Sequence, residues 1–325
     1  MDIPKIKQEA GEALARASYP PRRLMAIHAG AALGLSLILT AVSYFLSNHT
    51  GGSGGIGGLG AQAALSTVQT VLQLAGTVVM PFWSAGLVFC ALSYARGHLA
   101  EPISLLEGFR RFRPILSSML MMGLRYLGVG FLSVYLSSSL LMVTPAALPV
   151  MNASQQLLED PSADPYALLG DALPMVMLWY LGIFLIVFGV FALPLFYRWR
   201  LVNYLIMDDA KTGGLQAMVM SRGMMTRRRM ELFRLDLSFW WFYVLEFLAV
   251  GLAYGDVLLA AIGVTLPLSD GAAFWCFALL SLACQFGLYV WARPKLAVTY
   301  AIAYEALRQP PEPKPQKPVS HPWND

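Results

Sequence analysis

The sequence predicts an all-α fold: a polytopic membrane bundle of six transmembrane helices, with interfacial amphipathic helices on its cytoplasmic side. Three observations carry that prediction. The chain of 325 residues is 57% hydrophobic and only 13% charged, where a soluble domain carries roughly 25% charged residues, so it lacks the polar surface to dissolve as a globule. Its apolar residues gather into six runs, each long enough to cross a hydrocarbon core of about 30 Å. All but one of its 23 lysines and arginines fall in four segments outside those runs, and the three alternate loops hold none. Short cytoplasmic loops carry the Lys/Arg excess, so this pattern places both termini in the cytoplasm.

Residues 1–23 are expected to form an N-terminal amphipathic helix, because Ile3, Ile6, Ala10, Ala13, Leu14 and Ala17 recur at helical spacing between Lys5, Lys7, Glu9, Glu12 and Arg16. Such a helix either lies on the inner membrane face or leads in as a solvated segment. Pro20 and Pro21 end it, and Arg22 and Arg23 anchor the first span at about 24–46. That run is too long for a signal peptide. Gly51–Gly60 has GxG spacing without a preceding strand, so it is read as a flexible outer linker and not a phosphate cradle.

The second span is expected at about 65–94, with Pro81, Gly76 and Gly86 suggesting a kink. In the returning loop, Ile103, Leu106, Phe109 and Phe112 alternate with Arg110, Arg111 and Arg113, the pattern of an interfacial helix meeting anionic headgroups. The third span, 115–143, contains Arg125 and a hydroxyl-rich far half with Ser133, Tyr135, Ser137, Ser138 and Ser139. An acidic outer loop, 144–171, precedes the fourth span at 173–197. The fifth and sixth spans are placed at 237–264 and 272–291, the last continuing inward through Ala297–Leu307. The six-span domain thus covers 24–308, and the proline-rich segment 309–325 is expected to be a disordered cytoplasmic tail.

The stretch between the fourth and fifth spans is the most basic, with Arg198, Arg200, Lys211, Arg222, Arg227, Arg228, Arg229 and Arg234. Gly213-Gly214 should divide it. Asp236 and Ser238 are expected to cap the start of the fifth span, since both side chains accept backbone N–H bonds there. Arg222 would bridge to Asp236 or Asp208. Ser221 opens the same motif, and Met218, Met220, Met224 and Met225 beside the triple arginine suggest an adaptable surface for lipid headgroups or a partner helix.

Three charged residues fall inside spans, where charge is costly and marks candidate function: Arg125, Glu246 and Asp256. Arg125 and Glu246 each lie ten residues from a cytoplasmic edge, roughly 15 Å deep at the helical rise. They share depth and either pair or snorkel separately to water. Asp256 is expected to be solvated near the outer face. No catalytic grouping accompanies these residues. Cys276 and Cys284 are too far apart along one helix for a disulfide, and the histidines lack metal-ligand spacing. The expectation is therefore no catalytic residues, no cofactor and no metal, and no nucleic-acid partner.

Several motifs together resemble a known family: Ile6-Lys-Gln-Glu-Ala10, Glu107-Gly-Phe-Arg-Arg-Phe112, Tyr204-Leu-Ile-Met-Asp208, Ser221-Arg-Gly-Met-Met225, Asp236-Leu-Ser-Phe239 with Trp241, and Ala301-Ile-Ala-Tyr-Glu-Ala-Leu307. They are similar to those of the uncharacterised bacterial integral membrane proteins catalogued as domain of unknown function 975. The chain departs from that pattern at Leu193-Pro-Leu-Phe-Tyr-Arg198, at Arg227–Arg229 and in its long loop 144–172. The resemblance implies a six-helix protein of the bacterial inner membrane without an established activity. The expected role is non-enzymatic, with the basic cytoplasmic face binding anionic lipid or a partner protein. The alternative is a transporter or channel component using Arg125, Glu246 and Asp256.

Overall fold

A computed structural model describes residues 2–50, 56–160, 164–226, 228–256, 259 and 270–308. Among the described residues every regular element is helical, as the sequence predicts. Five helical segments are long and apolar enough to cross a membrane, and six if the bent pair Arg229–Leu237 and Trp240–Tyr254 counts as one span. The chain is thus a polytopic all-α membrane protein. Its described residues fall into two compact units: those within 2–112, 203–211 and 230–308 form the first, and those within 113–202 and 212–229 the second.

In the first unit, α1 (Ile3–Ala15) is N-capped by the Asp2 carboxylate, which accepts from the Lys5 amide. Its buried Ile6 and Ala10 face inward. The helix is docked against the last described helix, α13 (Asp270–Arg308). Between them in sequence, α2 (Pro21–Thr50) starts on a proline, whose missing N–H costs nothing at a first helical position. The next helix, α3 (Ile56–Ala95), begins inside the stretch expected as a linker; glycines are tolerated in membrane helices, and the apolar run simply extends through them. The rest of that linker, residues 51–55, lies outside the described residues, as do the tail 309–325, Arg227 and most of 257–269.

Gly86 of α3 meets the short helical segment formed by the 3-10 turn Pro102–Leu106 and α4 (Glu107–Arg110). A Cβ at Gly86 would penetrate the carbonyl oxygen of Leu105, and one at Gly108 would penetrate that of Phe82. Gly86 is therefore a point of backbone contact, a role not expected from its reading as part of a kink.

The expected continuation of the sixth span's helix through Ala297–Leu307 is observed, because α13 runs unbroken past Pro294 to Arg308. The fifth span differs from expectation. α11 (Arg229–Leu237) and α12 (Trp240–Gly251) meet at a bend of 61°, so the expected straight helix from Leu237 is broken between Leu237 and Trp240. The Ser238 hydroxyl donates to the Leu235 carbonyl and offers the backbone an alternative to continuing the helix.

In the second unit, α5 (Phe112–Leu141) and α8 (Leu173–Trp199) are the long helices. The loop expected between them contains α6 (Ala147–Glu159) and α7 (Pro165–Leu169), and Leu141, Ala146 and Val176 pack together at that end. The serines of α5 divide by face. Ser133 and Ser137 are buried, while Ser138 and Ser139 donate to carbonyls one turn back. The basic stretch forms three helices: α9 (Val202–Asp208) belongs to the first unit, α10 (Gly214–Met224) to the second, and α11 follows. Gly213 is the N-cap of α10 and interrupts the helices as expected. Gly214 lies against Pro114 and Ser117 of α5, with no room for a side chain.

Candidate functional site

Of the residues that the sequence singled out on the basic stretch, Asp208 meets partners from the ends of α3 and α13 in the first unit. Arg96 follows the last turn of α3. That helix is stopped by Gly97 at φ +72°, with His98 donating to the Ser93 carbonyl at 2.8 Å, a Schellman ending that only glycine enters without strain. The stop leaves Arg96 at the helix end. Its guanidinium reaches Glu305 Oε1 from Nε at 2.7 Å and Asp208 Oδ1 from a terminal nitrogen at 2.5 Å.

Asp208 is the hub. Its other oxygen accepts from the Tyr304 hydroxyl at 2.8 Å and from Arg308 at 2.7 Å. The Tyr304 ring is fully buried and stacks on Tyr204 with centroids 5.5 Å apart. The neighbouring residues Leu205, Ile206 and Met207 are buried anchors, and Arg111 donates to the Ile206 carbonyl at 2.5 Å. Two carboxylates and two guanidiniums thus join α3, α9 and α13. The expected bridge from Arg222 is not needed to satisfy Asp208. Nothing in this group pairs a nucleophile with a base, so its chemistry is that of a charge-balanced clasp.

The break between α11 and α12 makes a second polar knot. The N-cap of α12 is Phe239, which gives no side-chain cap. Asp236 instead accepts from the Tyr300 hydroxyl, which in turn lies 3.0 Å from the Tyr243 hydroxyl. Capping of the fifth span by Asp236 and Ser238 is therefore corrected: the bend displaces both residues from the cap position. The carbonyl of Ser238, released by the bend, accepts from Lys7 Nζ at 2.9 Å, and the same ammonium sits 4.1 Å above the Phe239 ring. The N-terminal helix thus supplies the donor that the broken span leaves unmatched.

In the second unit, Ser221 donates to the Arg198 carbonyl at 2.9 Å, satisfying an orphan acceptor in the last turn of α8. Met218 and Met225 are buried, Met225 completely, so they belong to the core and only Met220 is strongly exposed. Helical spacing explains the correction. Gly214, Ala217, Met218 and Ser221 form one inward face of α10, while Arg222 lies outside and is exposed. Arg229 is likewise exposed and Arg228 half-buried.

The charged residues within spans each have local surroundings. Arg125 belongs to the second unit, where its guanidinium lies over the ring of Trp199, 5.1 Å from the centroid, at the basic end of α8. That is the geometry of a side chain reaching toward the helix end. Glu246 belongs to the first unit and accepts from the Tyr289 hydroxyl at 2.6 Å, while Arg293 lies over the Tyr289 ring at 4.4 Å. Asp256 is half-buried just after the 3-10 turn Leu252–Tyr254. Glu246→Gln and Tyr289→Phe are each expected to cost about 1–2 kcal/mol, and the double variant less than the sum, because they share one hydrogen bond. A double-mutant cycle on unfolding in detergent measures this, and strict additivity would refute it.

Arg96, Lys7, Tyr289 and Tyr300 were not legible as site residues, because their partners are 43 to 231 positions away in sequence. The one available signal was the pair of motifs around Tyr204–Asp208 and Tyr304–Glu305, which the clasp brings together.

Among comparisons with known proteins, the family model described as "Protein of unknown function (DUF975)" matches residues 22–310. No curated protein and no solved structure matches the chain.

Proposed function

The chain belongs to the DUF975 family, and from that premise we propose that it is a non-enzymatic multi-pass protein of the bacterial inner membrane whose basic face binds anionic lipid. Both termini lie in the cytoplasm in this reading, supported by the confinement of all but one of the 23 lysines and arginines to the segments on that side.

The observation that favours lipid over a partner protein is the two-sided character of α10. Its inner face is buried, yet Leu215 and Val219 on its outer side are 55% and 70% exposed, with exposed Arg222 one turn on. α11 repeats the pattern with exposed Met230, Phe233 and Leu237 flanked by Arg229 and Arg234. Apolar residues beside arginines on short helices fit a headgroup–acyl boundary. The transport reading has weaker support, since Glu246 and Arg125 each carry a local partner.

The test reconstitutes the full chain in nanodiscs of mixed phosphatidylglycerol and phosphatidylcholine and counts the lipids retained after detergent extraction by native mass spectrometry. Phosphatidylglycerol should be enriched over its bulk share. Replacing Arg222, Arg228 and Arg229 with glutamine should reduce the enrichment, at about 1 kcal/mol per basic residue near an anionic surface. Equal retention of both lipids by the wild-type chain would defeat the proposal.

A further inference from the structure

We propose that the first unit contains a discrete site for one anionic glycerophospholipid, with its phosphate held between Arg22 and Lys295 and an acyl chain laid between α12 and α13. The inference deepens the lipid-binding reading above and rests on it, but it concerns different residues.

A cavity of about 610 Å³ opens between α1, the start of α2, the α11–α12 bend and the Pro294 turn of α13. Its walls are apolar and aromatic, with Leu14, Phe239, Trp241 and Trp291, and among the described residues its only charged lining is Arg22 and Lys295. No carboxylate among the described residues lines it. Both cations are exposed, and among the described residues neither is held in an ion pair. A third cation stands close by: Lys7 lies over Phe239, itself a wall of the cavity. Burial, and after it the neighbouring Lys295 ammonium, lower the Lys7 pKa from its ordinary value. Three cations gathered at a carboxylate-free cavity favour an anion between them.

The cavity has an exit suited to a lipid tail. Trp291 also lines a second, strongly apolar groove of about 710 Å³, formed by Leu245 and Leu248 of α12, Leu252 just past its end, and Cys284, Gly287 and Leu288 of α13. The two helices run antiparallel, as the pairs Glu246–Tyr289 and Ser281–Ala249 establish. The groove therefore leads along the span away from the cationic cavity. An ammonium and a guanidinium at one end, tryptophans at the join and leucines beyond match headgroup, glycerol and acyl chain in order. A soluble phosphate would use only the first of these parts.

The experiment uses the full chain in detergent, with unfolding midpoint and native mass spectrometry as readouts. The probes are dioleoyl-phosphatidylglycerol, dioleoyl-phosphatidylcholine and glycerol 3-phosphate. One phosphatidylglycerol should bind and raise the midpoint, with phosphatidylcholine much weaker. Arg22→Gln and Lys295→Gln should each weaken phosphatidylglycerol binding by about tenfold. Gly287→Leu should weaken it at least as much by filling the groove, and the fold should tolerate it because a Cβ there meets nothing within 4 Å. Enrichment of phosphatidylglycerol that persists in all three variants would overturn this site while leaving the basic-face reading intact. No preference in the wild type would overturn both. Glycerol 3-phosphate competing as well as the lipid would overturn the acyl-chain assignment and leave a plain anion site.

Discussion

Asp208→Ala is expected to destabilise the first unit by about 3 kcal/mol, far more than loss of any single surface ion pair. The reason is the number of groups that depend on this carboxylate. It is 9% exposed and accepts from Tyr304, Arg96 and Arg308. It also stands at the C-terminal end of α9, where the helix dipole disfavours negative charge, so the two guanidiniums offset a local cost as well as each other. Removing the carboxylate strands the buried Tyr304 hydroxyl and leaves Arg96 with Glu305 alone. Arg308→Gln should cost less than about 1 kcal/mol, because that side chain is 55% exposed and solvent screens its contact. Tyr304→Phe should fall between them. Equilibrium unfolding in detergent, followed by tryptophan fluorescence, orders the three variants. If Asp208→Ala stays within about 0.5 kcal/mol of wild type, the clasp does not hold this end together.

The clasp also explains what the sequence could and could not reveal. Hydropathy identified the spans because each must satisfy its backbone internally and face lipid with apolar side chains, a constraint local to each run. It gives no sign of the bend at Ser238, whose freed carbonyl accepts from Lys7 at the far end of the chain. Nothing near Ser238 announces that partner. The intramembrane charges were legible as unusual, but depth along a helix says nothing about which neighbour it has. Glu246 meets Tyr289, a residue that reads as ordinary apolar filling until α12 and α13 are laid side by side. Asp208 was found by its motif, and Arg96 was passed over as one cation among many. The methionines failed for a different reason. Composition alone puts Met218 and Met225 at a surface, whereas the register of α10 turns Met218 inward and Met225 is buried just past its end.

Gly86→Ala should be among the most damaging single-methyl changes, costing about 3 kcal/mol or more. At most helix positions this substitution is favourable, since alanine exceeds glycine in helix propensity by about 1 kcal/mol. At Gly86 the new methyl would enter the carbonyl oxygen of Leu105, and a backbone atom cannot rotate away as a side chain would. The contact is reciprocal, for Gly108 stands against the Phe82 carbonyl one turn earlier on α3. Relief requires the whole segment Pro102–Arg110 to withdraw. That segment leads into Arg111, whose guanidinium holds the Ile206 carbonyl, so its withdrawal loosens α9 and with it Asp208. Gly34→Ala is the matched control, because a Cβ at Gly34 meets nothing within 4 Å and should leave stability unchanged or slightly higher. Gly108→Ala should behave like Gly86→Ala, and the double variant should lose less than the sum, since one withdrawal relieves both clashes. Unfolding midpoints for the four variants decide the matter: equal behaviour of Gly86→Ala and Gly34→Ala would mean that the two backbones are not in contact.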